Sequence, residues 1–157
     1  MILSEYITRE RIVFPEETGK LEVIRRLVDK AASLALIRDR AGFEAAIQQR
    51  EAMSSTGIGL GLAIPHARHL ESNDFFIIAG ITRHPVEWQA IDAAPVRAIF
   101  LIGVPDHPSV IANKATARYL DIIASLMMLV KIPRFRDRLF AAATPDDLMA
   151  VLADQSG

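Results

Sequence analysis

The residues with the clearest chemical potential lie in the stretch 56–68, which reads Thr-Gly-Ile-Gly-Leu-Gly-Leu-Ala-Ile-Pro-His-Ala-Arg. Its glycines occupy every second position at first, and glycine lets main-chain N–H groups approach a ligand closely. Pro65 fixes its own φ and favours an extended conformation at Ile64, which predicts a short strand over 62–64 with His66 at its end. An imidazole at a strand end beside amide donors is suited to holding a phosphoryl group.

The same stretch has a plainer interpretation. A glycine-rich run is often only a flexible loop, and a single histidine is more often a surface or core residue than a nucleophile. Two common phosphate-binding motifs are absent, because the run is neither Gly-x-x-x-x-Gly-Lys-Ser/Thr nor a Gly-x-Gly-x-x-Gly frame that opens a helix. The residues of this stretch alone therefore leave both interpretations open.

As a nucleophile, the His66 side chain must be neutral at one ring nitrogen, and imidazoles titrate near enough to neutral pH to allow this. Which nitrogen attacks depends on the hydrogen bond that the other nitrogen makes, and sequence does not show that bond. A phosphoryl group in transfer carries spread negative charge, so the protein would contribute mainly positioning and electrostatic stabilisation.

Composition excludes several classes of protein. A chain of 157 residues with 51% hydrophobic and 24% charged residues is typical of a globular protein, and we expect one domain over 1–157. A net charge of -1 and a pI near 6.4 give no electrostatic basis for binding nucleic acid or an anionic membrane. The absence of cysteine excludes disulfides and thiolate metal sites, and we expect no metal and no cofactor.

The chain also lacks sequence signals for a membrane. Its longest apolar run, 122–130, is far too short to cross a bilayer. Residues 1–11 mix apolar and charged side chains and do not contain the apolar segment of a signal peptide. We therefore expect a cytoplasmic protein with no direct membrane insertion.

Hydrophobic patterns predict strands mixed with helices. Strands are predicted at 12–14, 75–81 and 96–104, and an amphipathic helix from Lys20 to about Ala31. Asp39 is a suitable N-cap for a second helix that ends near Met53. A turn with a short extended piece is predicted over 84–92. This order favours an α/β fold with helices on both faces of a mixed sheet.

The last third of the chain is predicted to be mainly helical. A loop over 106–116 precedes a helix from about Ala117 to Lys131, and Pro133 separates it from a shorter helix. Thr144 is predicted to cap a final helix. The inward residues of the long helix are predicted to be Leu120, Ile123, Ala124, Met127 and Met128.

The glycine–histidine stretch resembles the active-site signature of the fructose/mannitol-type enzyme IIA domain of the bacterial phosphotransferase system. The resemblance continues in Pro-Val-Glu-Trp-Gln-Ala-Ile-Asp at 85–92 and in the helical segments 135–142 and 144–148, so it covers nearly the whole chain. It implies a three-layer α/β/α sandwich and a phosphohistidine carrier, transferase-like in its chemistry, whose His66 accepts a phosphoryl group from an HPr-like histidine phosphocarrier protein. A free-standing chain with Ile-Asp after the tryptophan segment is most similar to the nitrogen-regulatory branch, in which phosphorylation state controls protein partners.

The same resemblance assigns phosphate-binding roles. Arg50 falls where the family has an arginine, and its planar fork suits bidentate phosphate contact. Thr56, Gly57 and Gly59 are weaker candidates as phosphate donors. The alternatives remain open: Arg50 could be a solvated residue near a helix end, and Thr56 could cap the end of the preceding helix or turn.

One position departs from the family pattern. The family carries a second active-site histidine in a His-Leu pair at the start of the long helix, and here the matching pair is Tyr119-Leu120. A tyrosine hydroxyl can donate a hydrogen bond to a phosphoryl oxygen, but it cannot take the imidazole's proton at pH 7. We expect Tyr119 to lie beside His66, and the departure puts efficient onward transfer in doubt. His69, His84 and His107 are expected at the surface, although His107 could replace the missing partner.

Three other functions compete with the carrier. The chain could be an interaction module that no longer uses phosphate, or a sugar-specific enzyme IIA that feeds a transporter. A metal hydrolase would use His66, His69 and Glu71, but Pro65 disfavours the helix that would place both rings on one face. For docking of the donor, Leu60, Leu62 and the loop at 106–116 are candidates.

Overall fold

A computed structural model of the protein describes residues 2–69, 75–105 and 110–154. The helices in these ranges are α1 (Ile2–Tyr6), α2 (Lys20–Ser33), α3 (Arg40–Met53), α4 (Val110–Val130), α5 (Pro133–Ala141) and α6 (Pro145–Ala153). The strands are β1 (Ile12–Val13), β2 (Gly57–Gly59), β3 (Leu62–Ala63), β4 (His66–His69), β5 (Phe76–Val86) and β6 (Val96–Pro105).

The strands form a mixed sheet, as predicted. Its main order is β1-β5-β6-β3-β2, and β4 also pairs with β6. Strands β3 and β4 run parallel to β6, whereas β5 runs antiparallel to it. Strand β6 therefore lies at the centre, and β3 and β4 use successive parts of its length.

Two apolar clusters on opposite faces of this sheet confirm the predicted three layers. Alternate residues of a strand point to opposite faces, and β5 divides its apolar side chains in this way. Ile77 packs with α1, α4, α5 and α6, while Ile78 packs with α2 and α3. Both faces are apolar because both are covered, which explains the continuous hydrophobic runs of β5 and β6.

Several helix boundaries follow from the predicted caps. The Asp39 carboxylate accepts a hydrogen bond of 3.0 Å from the Gly42 amide at the start of α3. Thr144 and Asp147 form a reciprocal capping box at the start of α6. In both cases the side-chain oxygen satisfies an N–H group that the helix itself leaves without a partner.

Four features differ from the sequence predictions. Helix α1 was not predicted, and β5 continues to Val86, so the predicted turn begins later than residue 84. Helix α4 begins at Val110 and includes most of the predicted loop over 106–116, of which 106–109 lie outside the described residues. The predicted inward face of α4 was wrong except at Ile123, which packs against the core. Buried positions are instead Ile122, Leu126 and Val130, whereas the other predicted residues, Leu120, Ala124, Met127 and Met128, are exposed. Apolar side chains occur on two sides of this helix, so periodicity could not fix its rotation.

Candidate functional site

The backbone of His66 is held by the central strand. His66 is the first residue of β4 and lies opposite Ile102 of β6. Just before it, the Pro65 carbonyl accepts a hydrogen bond of 2.9 Å from the Ile102 amide. The predicted strand over 62–64 is therefore interrupted: β3 ends at Ala63, and His66 begins the next strand. Proline explains the break, because it lacks the N–H group that a regular ladder needs.

The His66 side chain is half-buried and has a defined polar partner. Its Nδ1 atom lies 3.0 Å from the Ile64 carbonyl oxygen. A carbonyl can only accept a hydrogen bond, so in the neutral ring Nδ1 carries the proton and Nε2 carries the lone pair. The geometry thus places the lone pair of the neutral ring on Nε2, a choice that sequence left undetermined.

The structure brings Tyr119 to this imidazole, and Arg50 lies near Tyr119. The Tyr119 and His66 ring centroids are 5.4 Å apart, and the ring planes are tilted by 52°. Burial raises the pKa of Tyr119 above its ordinary 10.0, and the charge of nearby Arg50 acts in the opposite direction. Tyr119 therefore lies beside His66 as expected, and its hydroxyl is protonated at neutral pH.

Arg50 occupies the end of α3. One of its guanidinium N–H groups donates a hydrogen bond of 2.8 Å to the Ser54 carbonyl, which satisfies part of the helix C-terminus. A guanidinium has five N–H donors in a fixed fork, so this bond leaves others for an anion. The helix-end role that sequence offered as an alternative is present, and a phosphate contact from Arg50 remains a prediction.

The glycine-rich turn is closed by contacts with the segment 90–94. Gly59, Leu60 and Gly61 all have positive φ angles, of 97°, 57° and 80°. The Asp92 carboxylate accepts hydrogen bonds of 2.9 Å from the Leu60 amide and 3.0 Å from the Ala94 amide. These bonds hold three consecutive residues in the left-handed region, which is unfavourable for a leucine.

Glycine at position 57 permits close packing of two segments. A Cβ atom there would lie 2.8 Å from the Ala90 Cα. The Gly57 amide donates to the Ser55 hydroxyl, and its carbonyl accepts from the Ile91 amide, both at 3.0 Å. The Gly57 amide thus has an internal partner, and phosphate contacts from Gly57 and Gly59 remain predictions.

A buried carboxylate that sequence analysis did not identify organises the entrance to this turn. Glu51 is 8% exposed and accepts hydrogen bonds from both the hydroxyl and the amide of Thr56. The Lys20 ammonium lies 2.8 Å from the same carboxylate. The Trp88 indole N–H donates to the Thr56 hydroxyl over 3.4 Å. The hydroxyl of Thr56 therefore serves the local structure, and its predicted phosphate contact is not tested by this geometry. The only sequence signal for Glu51 was a charged residue on the apolar side of α3.

Beside the site lies a groove of about 460 Å³. Exposed apolar residues surround it: Ile91 is 85% exposed and Met53 is 81% exposed. Of the predicted docking residues, Leu60 is exposed, but Leu62 is fully buried in the core because it pairs with β6. The groove is lined by Ser54, Ser55, Gly57, Ile58, Gln89, Ile91 and Met127.

The remaining candidates do not assemble into a second site within the described ranges. No group of three His, Cys, Asp or Glu side chains there could hold a metal ion. Glu71 and His107 lie outside the described residues, and His84 is exposed on β5. Among residues 2–69, 75–105 and 110–154, no helix is both long and apolar enough to span a membrane.

Comparison with known proteins finds the same architecture and motif. The family model described as "Phosphoenolpyruvate-dependent sugar phosphotransferase system, EIIA 2" matches residues 5–155. The nitrogen regulatory protein of Escherichia coli is 32% identical over 158 residues, which cover 99% of this chain and 90% of that protein. The crystal structure of the nitrogen regulatory protein IIA-Ntr from Neisseria meningitidis has a TM-score of 0.83 and 25% identity, and the match covers 97% of this chain and 99% of that one.

A longer relative shares only one part. The 2-O-alpha-mannosyl-D-glycerate-specific EIIABC component of Escherichia coli is 26% identical over 141 residues, which are 89% of this chain and 20% of that protein. The chain therefore spans about a fifth of the length of this relative.

Glu51 generates a prediction about stability. Replacing Glu51 with alanine leaves the buried Thr56 amide without its acceptor and removes the charge partner of Lys20, which keeps its hydrogen bond to the Trp88 carbonyl, so we expect the free energy of unfolding to fall by about 3 kcal/mol. Urea denaturation measures it. The control is Arg138→Ala, which breaks a pair of the same 2.8 Å length at an exposed site and should cost less than about 1 kcal/mol. Equal losses in the two variants would contradict the organising role of Glu51.

Asp92 generates a prediction about pH. The Leu60 amide, followed by the Ala94 amide, holds the pKa of Asp92 below its ordinary 3.8. A depressed pKa stabilises the folded state above the unfolded-state value and loses this effect as the pH falls through the folded-state value. We therefore expect the stability difference between wild type and Asp92→Ala to be constant above pH 3.8 and to shrink below it.

Hydrogen exchange locates the Asp92 effect within the chain. At neutral pH, Asp92→Ala should speed exchange of the Leu60 and Ala94 amides, whereas alanine at the exposed Asp121 should not. Unchanged exchange at Leu60 in the Asp92 variant would show that the turn does not depend on this carboxylate.

Proposed function

The chain belongs to the EIIA 2 family of the phosphoenolpyruvate-dependent sugar phosphotransferase system, and we propose that it is a regulatory phosphohistidine carrier of the nitrogen-regulatory type. Its His66 accepts a phosphoryl group from an HPr-like histidine phosphocarrier protein. One observation carries the assignment: the 3.0 Å contact between Nδ1 and the Ile64 carbonyl directs the lone pair of His66 to Nε2.

The proposed transfer exchanges one P–N bond for another. The Nε2 lone pair attacks the phosphorus of the donor phosphohistidine, the donor's P–N bond breaks, and its electron pair returns to the donor imidazole. Positive charge then develops on the His66 ring, and the Ile64 carbonyl stabilises it through the Nδ1 proton. The remaining N–H groups of Arg50 bind the negative phosphoryl oxygens and orient the group for in-line attack.

A regulatory role accounts for the relatives better than sugar transport does. The nitrogen regulatory protein of Escherichia coli matches this chain over most of both lengths at 32% identity, whereas a fructose-specific EIIA component from Haloferax volcanii, which also matches over most of both lengths, is 25% identical. The partners of the chain are then a histidine phosphocarrier and a protein whose activity depends on the phosphorylation state of His66. A sugar-specific enzyme IIA would instead pass its phosphoryl group to a transporter component.

The apolar groove is the proposed docking surface for the donor. Met127 follows Tyr119 by eight positions on α4, which is about 12 Å along a helix. A protein interface of ordinary size covers about 800 Å² on each partner, which as a disc has a radius of about 16 Å and so includes that distance from its centre. A donor centred on His66 therefore covers Ile91 and Met127, whose exposed apolar side chains suit the centre of an interface.

Phosphorylation tests the carrier directly. The protein is incubated with phosphoenolpyruvate, the first phosphotransferase enzyme and a histidine carrier, and intact mass spectrometry measures phosphoryl gain. We expect an acid-labile gain of one phosphoryl group in wild type and in the exposed-histidine control His84→Ala, and none in His66→Ala. ³¹P NMR should assign the group to Nε2. No gain with several carriers would favour the phosphate-independent interaction module.

The docking surface is tested with charge substitutions. Ile91→Asp should slow phosphoryl uptake from the protein donor about tenfold, since loss of a well-buried interface contact costs about 1–2 kcal/mol. Leu21→Asp is the matched control, because Leu21 is 50% exposed on α2. Uptake from phosphoramidate, a small donor that needs no docking surface, should be equal in all three proteins. An equal effect of Ile91→Asp with both donors would locate the defect in the site itself.

A further inference from the structure

Tyr119 has an available hydroxyl in a position to contact a group bound to His66. The two ring centroids are 5.4 Å apart, and a phosphoryl group is of a size to bridge the edges of rings at this separation. The half-buried Tyr119 ring packs against the core that contains Ile122 and Leu126, which fixes its position. Within the described part of the chain, its hydroxyl has no hydrogen-bond partner. Arg50 is close enough to affect it electrostatically.

We propose that Tyr119 holds the phosphoryl group on His66: its hydroxyl donates a hydrogen bond to a phosphoryl oxygen and thereby lengthens the lifetime of the phosphohistidine. The inference rests on the proposed phosphorylation of His66. Tyr119 would then favour a long-lived phosphorylated state, which suits regulation, over rapid transfer of the phosphoryl group to another protein.

The direction of the effect follows from charge. In phosphohistidine the phosphoryl oxygens share nearly two negative charges, and in the loose transition state the departing group resembles metaphosphate, with about one. A hydrogen bond donated to these oxygens is therefore stronger before transfer than during it. The phenol is also a weak general acid toward the leaving imidazole, because burial keeps the pKa of Tyr119 above 10.0. The hydrogen bond therefore slows loss of the group, and proton donation by the phenol does not offset this effect.

A direct test measures phosphohistidine lifetime without a protein donor. Phosphoramidate loads the full chain: the Nε2 lone pair attacks phosphorus, the P–N bond of phosphoramidate breaks, and ammonia leaves. After removal of the reagent, intact mass spectrometry follows decay of the phosphoryl group. We expect Tyr119→Phe to lose it about three- to tenfold faster than wild type, a fraction of what one charge-assisted hydrogen bond can contribute.

A matched control separates the hydroxyl at His66 from tyrosine hydroxyls in general. The other tyrosine of the chain, Tyr6, contacts Arg118 through its hydroxyl, and Tyr6→Phe should decay at the wild-type rate. The ³¹P resonance should shift in Tyr119→Phe and stay in place in Tyr6→Phe. When the decay rate is measured against pH, Tyr119→His should show an additional inflection between about pH 6 and 7, because it places another imidazole at the site. Wild type and Tyr119→Phe should lack it.

Equal lifetimes and equal ³¹P shifts in wild type and Tyr119→Phe would overturn the role of Tyr119, with unchanged thermal stability showing that both proteins are folded. Failure of the proposed function has a different signature. A wild type that accepts phosphoryl from phosphoramidate but from no protein carrier refutes the carrier function, and the lifetimes still decide the role of Tyr119. A wild type that accepts it from neither donor refutes both proposals.

Discussion

The buried Glu51 carboxylate is the interaction on which the geometry of the site depends. It joins the start of α2, through Lys20, to the end of α3 and to the residue that opens the glycine-rich turn. A buried carboxylate is costly unless it is paired and hydrogen-bonded. Separation of any of these three segments would leave the Glu51 charge without a partner in an apolar interior. Arg50 precedes Glu51 in α3, so the contacts that fix Glu51 also fix the position of Arg50 near Tyr119.

The sheet supplies the second constraint, through the direction of β6. Because β3 and β4 run parallel to β6 and use successive parts of it, the chain between them can break at Ile64 and Pro65 without leaving the sheet. The carbonyls of Gly61 and Pro65 accept hydrogen bonds from β6, whereas the Ile64 amide donates to Thr56 on the other side. The Ile64 carbonyl therefore faces away from β6, because neighbouring residues of an extended chain alternate, and it lies within reach of Nδ1 of His66.

The sequence predicted most of the layers, because caps, turn residues and buried strands are encoded locally. Asp39 and Thr144 marked helix starts through side-chain acceptors, and β5 and β6 were evident as apolar runs covered on both sides. The partners of Thr56 could not be predicted, since Glu51, Lys20 and Trp88 meet only after α2, α3 and the segment after β5 have packed. The Nδ1 contact could not be predicted either, because it depends on the side of the sheet edge to which the Ile64 carbonyl points.

The most informative error of the sequence analysis concerns which side of helix α4 faces the core. Leu126 and Met127 are adjacent in sequence, yet Leu126 is 1% exposed and Met127 is 42% exposed. A helix that needed only to pack on the sheet would carry polar residues on its outer side. The outer methionines of α4 instead continue the surface that begins with Ile91 beside the glycine-rich turn, and Tyr119 lies on the same helix as those methionines. Apolar residues on two faces obscure the periodicity because one face serves the core and the other includes Met127, which lines the groove with Ile91. The feature that defeated the pattern is therefore itself evidence for a binding surface at the site.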